Sequence, residues 1–253
     1  MTALLAALAL LGPVVVHDAR ETSPLAAVER SAPAAVYERR AGPWRQWWLY
    51  FEQNDQDRGI LRTGRHAGDW EMVQIREDAG GRPVEAVYAQ HSGAERCPWA
   101  AVETRAGRPV IYLANGSHAA YFRPGVRERT FPEPNDEAGG DGLAVRPRVE
   151  PISEDAPAWM RRREPWGGAR AGWFPGEQGS PLGPAFQPQG RWSDPDAWAR
   201  AARPCTFDRC DELGECDVAE TATAIGAGLL AIAVLGFACQ AIVLRGRPRL
   251  RRV

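Results

Sequence analysis

The sequence predicts a mainly β protein, an antiparallel β-sandwich with long Pro/Gly/Trp-rich loops, joined to one C-terminal transmembrane helix. Three observations carry this. Short β-prone runs alternate with turn chemistry through the first half of the chain. The composition, with 26 Gly, 21 Pro and ten Trp in 253 residues, favours turns and pleated surfaces over helices. A charge-free apolar run lies near the C-terminus. At 44% apolar the chain can bury one sizeable core. Lys plus Arg number 31 against 32 Asp plus Glu, so a net charge of −1 provides no global field for nucleic acid or an anionic surface. Every basic residue is Arg, which we read as the codon bias of a GC-rich, bacterial genome.

Residues 1–16 are apolar, and three readings stand: a signal-like segment, the first strand of the domain, or an N-terminal anchor. The sandwich is expected over 17–204. Arg30 to Arg40 reads as a polar connector, and His17 as a loop or strand-end histidine. Trp47 to Glu52, Trp70 to Arg76, Val84 to Gln90 and Val110 to Ala114 are strands by composition and alternation. Asp78 to Gly81, Ala106 to Pro109 and Asn115 to Ser117 are turns between them, which suggests an antiparallel meander. From Arg123 to Pro204 the Pro and Gly content predicts surface loops carrying Trp plugs rather than a second core.

Residues 205–220 form an acidic, Cys-containing linker, and 221–244 a membrane span. From Ala222 to Leu244 the run carries no charge and, at ~1.5 Å per residue, reaches ~33 Å, the thickness of a bilayer core. Arg245, Arg247, Arg249, Arg251 and Arg252 follow it, which puts the 245–253 tail in the cytoplasm and the body outside. On that side disulfides persist, and Cys97, Cys205, Cys210 and Cys216 become candidates with three possible pairings. Zinc is disfavoured there because the cluster has no Cys-x-x-Cys unit and no His.

The chemistry centres on Gly64 to Glu71. With a strand period of two, Asp69, Glu71, Val73 and Ile75 share one face and Trp70, Met72, Gln74 and Arg76 the other. Two carboxylates on a core-directed face are costly to desolvate unless a cation meets them, and a metal ion or Arg65 would serve. His66 precedes the strand, His91 ends Val84 to Gln90, and His118 follows the Asn115 turn. In a meander the end of one strand lies beside the start of the next, so His66, Asp69 and Glu71 would share a rim with His91, with Asn54 and Asp55 as candidates for it, while His118 would need one more strand or loop to come round. Oxygen donors would suit Mg²⁺, Ca²⁺ or Mn²⁺, and direct imidazole ligation Zn²⁺ or Fe²⁺. The alternative is a buried hydrogen-bond network that pins loops to the sheet. No Ser-His-Asp elbow or phosphate-cradling Gly loop is present.

WWLYF at 47–51, Asn54-Asp55, GRHAGDWEMVQI at 64–75, AQHSG at 89–93 and PVIYLANGSHAAYF at 109–122 together resemble the vacuolar protein sorting-associated protein 62 family. Trp166-Gly167-Gly168, Gly183-Pro184, Arg191-Trp192 and Asp194-Pro195 are similar to its later part. That resemblance implies no agreed biochemical activity. More distantly, the order of blocks is similar to the necrosis- and ethylene-inducing-like proteins, secreted β-sandwich cytolysins. That likeness implies a divalent cation in a cavity that engages sphingolipid sugar head groups. Carried across, Asp55 matches the upstream acid, His66 the motif His, and Asp69 and Glu71 the motif carboxylates, with His91 and His118 near further cavity positions. Here His66 stands three residues before Asp69 instead of next to it.

Two functions follow. One is a membrane-anchored extracytoplasmic module that binds a divalent metal, with Mg, Ca or Mn favoured over Zn, and a glycan or lipid head group. The other is a metal-dependent hydrolase with Glu71 or His91 as general base. A purely architectural cell-envelope protein is the third possibility.

Overall fold

The computed structural model describes residues 12–56, 65–129, 135–167 and 179–205. The span and tail foreseen over 221–253, with Cys210 and Cys216, lie outside the described residues. Among the described residues no helix is long and apolar enough to cross a membrane.

In chain order the strands are β1 (Val14–Val16), β2 (Ala35–Ala41), β3 (Trp44–Asn54), β4 (His66–Glu77), β5 (Pro83–Gln90), β6 (Gly93–Pro98) and β7 (Thr104–Arg105). They continue as β8 (Arg108–Leu113), β9 (Ala120–Tyr121), β10 (Gly125–Arg127), β11 (Asp136–Ala138), β12 (Ala144–Val145) and β13 (Arg148–Pro151). A short helix α1 (Pro195–Ala201) precedes β14 (Arg203–Pro204). The larger sheet runs β13-β2-β3-β4-β5-β6-β14, and the smaller β12-β1-β8-β7 with β9 on β8. The meander is therefore real over β2 to β6, all antiparallel neighbours. The sheets are nevertheless mixed, because β1 pairs β8, β13 pairs β2 and β14 pairs β6 in parallel.

Val14, Val15 and Val16 form a buried strand of the sandwich, which extends upstream of His17. Arg30 to Arg40 is also more than a connector. Ala35, Val36 and Tyr37 are buried, and the charges of Glu38, Arg39 and Arg40 begin only where the strand nears its turn. Those charges masked a strand pattern that packing supplies.

The core between the sheets takes Trp47, Leu49, Phe51, Val73, Ile75 and Tyr88 from the larger sheet and Val15, Ile111, Leu113 and Ala120 from the smaller. On the opposite face of the larger sheet, Trp44, Trp48, Trp70 and Met72 meet Met160, Trp192 and Trp198. The segment read as surface loops thus covers a second apolar layer and contributes α1, capped by Asp194 accepting from the Ala197 N–H at 2.9 Å. Trp159 and Trp166 pack against Trp70 at 5.3 Å between ring centroids, so the plugs are layer-forming. Cys97, buried in the inter-sheet core, is disulfide-bonded to Cys205, across 108 residues of chain.

Candidate functional site

Register fixes the site. Asp69 lies opposite Phe51 and Glu71 opposite Leu49, so both carboxylates stand on the face that further along carries Val73 and Ile75 into the core. Both are buried, at 6% and 5% exposure. Among the described residues, the cation that meets Asp69 is neither Arg65 nor any other arginine. It is His118, fully buried, with Nδ1 donating to Asp69 Oδ2 at 2.9 Å and Nε2 facing Glu21 Oε1 at 3.6 Å. Its ring stacks on Phe51, with centroids 3.8 Å apart. Burial opposes its charge, yet the two carboxylates raise the imidazole to about 9.

Glu21 is equally specified. The Ser23 N–H donates to Oε1 at 2.7 Å and the Gly116 N–H to Oε2 at 2.8 Å. Burial works against its ionisation, but His118 and these amides bring it down to about 2. Asp69 resolves the same contest the same way: burial pushes it up, and His118, His66 and Asn54 hold it below the usual carboxylate range. Asn54 Nδ2 donates to Asp69 Oδ2 at 3.3 Å, and the Trp70 N–H donates to Oδ1 at 3.0 Å.

Glu71 is the exception. Burial and the charge of Asp69 push its carboxyl well above the ordinary value, and Oε2 has no hydrogen-bond partner. His66 donates Nδ1–H to the Gly68 carbonyl at 3.1 Å, and its Nε2 lies 4.0 Å from Asp69 Oδ1.

A second network sits beside the first. His91 Nε2 meets the buried Asp136 Oδ2 at 2.6 Å, and Asp136 also accepts from Ser117 Oγ at 2.8 Å and Tyr121 Oη at 2.7 Å. Burial raises Asp136, but His91 and Tyr121 bring it net below its usual range. Both histidines occupy the left-handed region, His91 at φ 54° in the two-residue β5–β6 hairpin and His118 at φ 58°. Glycine is the usual residue at such positions, and strained backbone of this kind clusters at functional sites.

The networks share a cavity of about 250 Å³, lined by Asn54, His66, Asp69, Glu71, His91, Ser117 and Arg191 and closed over by Pro181, Leu182 and Gln187 to Gln189. Six of the seven candidate rim residues, Asn54 included, are thus gathered there or hold a residue that is, since His118 anchors Asp69. Asp55 stands apart: it is partly exposed, pairs with Arg65 at 2.5 Å and does not line the cavity. Glu21, Asp136 and Arg191 were missed. Glu21 and Asp136 come from loop and short-strand segments with no periodicity, so no spacing argument reaches them.

The fold and site define a two-sheet β-sandwich with an acid- and imidazole-lined cavity at one end. Residues 56–129, which hold the GDWE, QHSG and GSHA blocks, match the model of the vacuolar protein sorting-associated protein 62 family. No curated protein matches the chain. Among solved structures, one described as "Toxin fold for microbial attack and plant defense" is 13% identical with a TM-score of 0.36, covering 56% of this chain and 70% of its own. NLPPya in complex with glucosamine is 15% identical with a TM-score of 0.35 over the same shares. Necrosis and Ethylene inducing Protein 2, from the causal agent of cocoa's Witches Broom disease, is 12% identical with a TM-score of 0.34, again over 56% and 70%. Both families that the sequence resembles are thus found again, the second as a distant likeness from which nothing about the cavity is taken.

Proposed function

We propose that the chain is a binding module, presented outside a membrane by the 221–244 span, whose cavity holds a hard divalent cation and a glycan or lipid head group. One observation carries the reading. Glu71 presents a buried carboxyl oxygen with no hydrogen-bond partner beside the ionised Asp69, and a buried polar atom left unpartnered costs about 1–3 kcal/mol unless a ligand joins it. The His66 Nε2 turned toward Asp69, with the other ring nitrogen fixed by a backbone carbonyl, is how a ligating imidazole is oriented.

The donor set fits such a cation in chemistry. Asp69, Glu71 and His66 would hold it, and oxygen-dominated ligation favours Mg²⁺, Ca²⁺ or Mn²⁺ over Zn²⁺. Among the described residues no group of three His, Cys, Asp or Glu converges as a finished cage, so ligand or water oxygens would complete the shell. When bound, the cation supplies an electrophilic point for hydroxyl or phosphate oxygens. The protein's residues do the rest: His118 and Glu21 hold Asp69 in place, and Pro181, Leu182 and Gln187 to Gln189 complete the cavity lining. The Cys97–Cys205 bond supports an oxidising, extracytoplasmic location.

The test uses the full chain in detergent, with bound metal measured by elemental analysis after dialysis against Mg²⁺, Ca²⁺, Mn²⁺ and Zn²⁺. Stoichiometric metal that disappears in Asp69→Asn and Glu71→Gln supports the reading. No metal in the wild type overturns it and leaves an architectural network. A hydrolytic role has one favouring observation, His91 oriented by Asp136 at the cavity wall. It requires turnover on a phosphoester and carboxylester panel that is lost in His91→Gln.

A further inference from the structure

Arg191 is 3% exposed and lines the same cavity. Its neighbours account for little of its hydrogen-bonding capacity. One Nη2–H donates to the His91 carbonyl, Nε–H has no acceptor, and the guanidinium rests 5.8 Å above the Trp198 ring. The Gln46 side chain fixes its backbone by donating to the Arg191 carbonyl at 2.7 Å. Among the described residues no carboxylate forms an ion pair with it. Arg45, the comparably buried arginine of β3, is instead clasped by both Glu38 and Glu77.

A guanidinium carries five N–H donors in a planar fork suited to carboxylate and phosphate, and a buried, unpaired one is expensive. The wall it belongs to is braced at both sides: His91 by Asp136, and the Arg191 backbone by Gln46. Such a site is shaped before the ligand arrives.

We propose that the cavity takes a ligand bearing an anionic oxygen group, phosphate or carboxylate, which pairs with Arg191 while the ligand's hydroxyls meet the Asp69–Glu71 end. This inference rests on the cavity being a ligand site and narrows its ligand from any glycan or head group to an anionic one. A phosphorylated lipid head group and a free sugar phosphate share this chemistry.

The full chain in detergent is titrated by calorimetry with inorganic phosphate, glucose 6-phosphate, glucuronate and neutral glucose, at ionic strength matched with chloride and with chelator or divalent metal present. Saturable binding of the anionic probes, weakened about ten- to hundredfold in Arg191→Gln, is expected, since charged hydrogen bonds contribute about 1.5–3 kcal/mol. Arg191→Lys keeps the charge without the fork, should fold where Arg191→Gln does not, and should bind with intermediate strength. Anionic probes that bind no better than chloride, or equally well to both variants, overturn the proposal. Glucose binding that needs metal and ignores Arg191 would sink the anion while leaving the metal reading intact. Arg191-dependent phosphate binding without metal would do the reverse. Co-sedimentation with phosphatidylcholine vesicles containing phosphatidylinositol phosphate, compared with glucose 6-phosphate affinity, separates the two sources.

Discussion

Two buried histidines in contact with the Phe51 ring make the stability of this protein depend on pH in opposite senses. His17 is 2% exposed at the end of β1, edge-on to Phe51, and its Nε2 accepts the Leu25 N–H at 3.4 Å. Burial lowers it to about 4, with Glu21 pulling the other way and His118 adding to the depression. The unfolded chain protonates this residue near the ordinary imidazole value of 6.5 while the folded one does not, so its contribution is complete above 6.5 and drains as pH falls to about 4. Between pH 6.5 and 4.5 the loss from His17 is roughly 2–3 kcal/mol at 1.36 kcal/mol per unit. For a domain of this size that is roughly 5–10 °C in melting temperature. His118, raised to about 9, is protonated in the fold, so its contribution is complete below 6.5 and drains as pH rises to 9. Stability in chelator should therefore peak near pH 6.5. The assay is urea unfolding of the full chain from pH 4.5 to 9, with His17→Gln alongside. The variant's neutral amide can still accept from Leu25, so its acid limb alone should flatten. An acid limb of the same slope in His17→Gln would refute the assignment of that slope to His17.

Other expectations follow from the same geometry. In chelator, Asp69→Asn should cost about 3–5 kcal/mol because it strands a buried imidazolium, whereas Glu71→Gln, replacing an already neutral carboxyl, should change the unfolding midpoint little. Gly68→Ala should destabilise by more than about 1 kcal/mol in the same unfolding assay, since a Cβ at φ 70° would come 2.6 Å from Trp166 Cβ. Cys205→Ser should lower stability by about 2–5 kcal/mol, read as the difference from wild type that vanishes once both are reduced.

The sequence reached the larger sheet because its strands are long and alternate. Asp69, Glu71, Val73 and Ile75 face the inter-sheet core, and Trp70 and Met72 the other layer, as the period of two requires. The rim was legible for the same reason: histidines placed at strand ends converge when the strands are meander neighbours. What stayed hidden lacks a period. Glu21 and Asp136 reach the site through loops whose path tertiary packing sets, and their partners are a turn amide and a serine hydroxyl with no sequence signature. Asp55 failed for a local reason. Its backbone N–H donates to the Gly116 carbonyl at 3.0 Å, which fixes the chain's exit from β3, while Arg65 at the start of β4 takes the carboxylate.

The charges around the cavity are what favours the proposed ligand over a purely architectural network. Asp69 and Glu21 share the His118 imidazolium, and Asp136 is matched by His91 with support from Tyr121 and Ser117. The carboxylates among these groups are paired within the protein, and together they pin the His118 turn and the His91 hairpin to the sandwich in backbone conformations that would otherwise relax. The groups left over are an orphaned carboxyl oxygen on Glu71 and an unpaired guanidinium on Arg191, and both border one cavity without bonding each other. A network serving architecture alone would be more stable with the two joined, or replaced by apolar residues of the same volume. Keeping them buried yet apart, on walls this firmly braced, is the arrangement expected of a site preformed for a molecule carrying complementary charge at both ends.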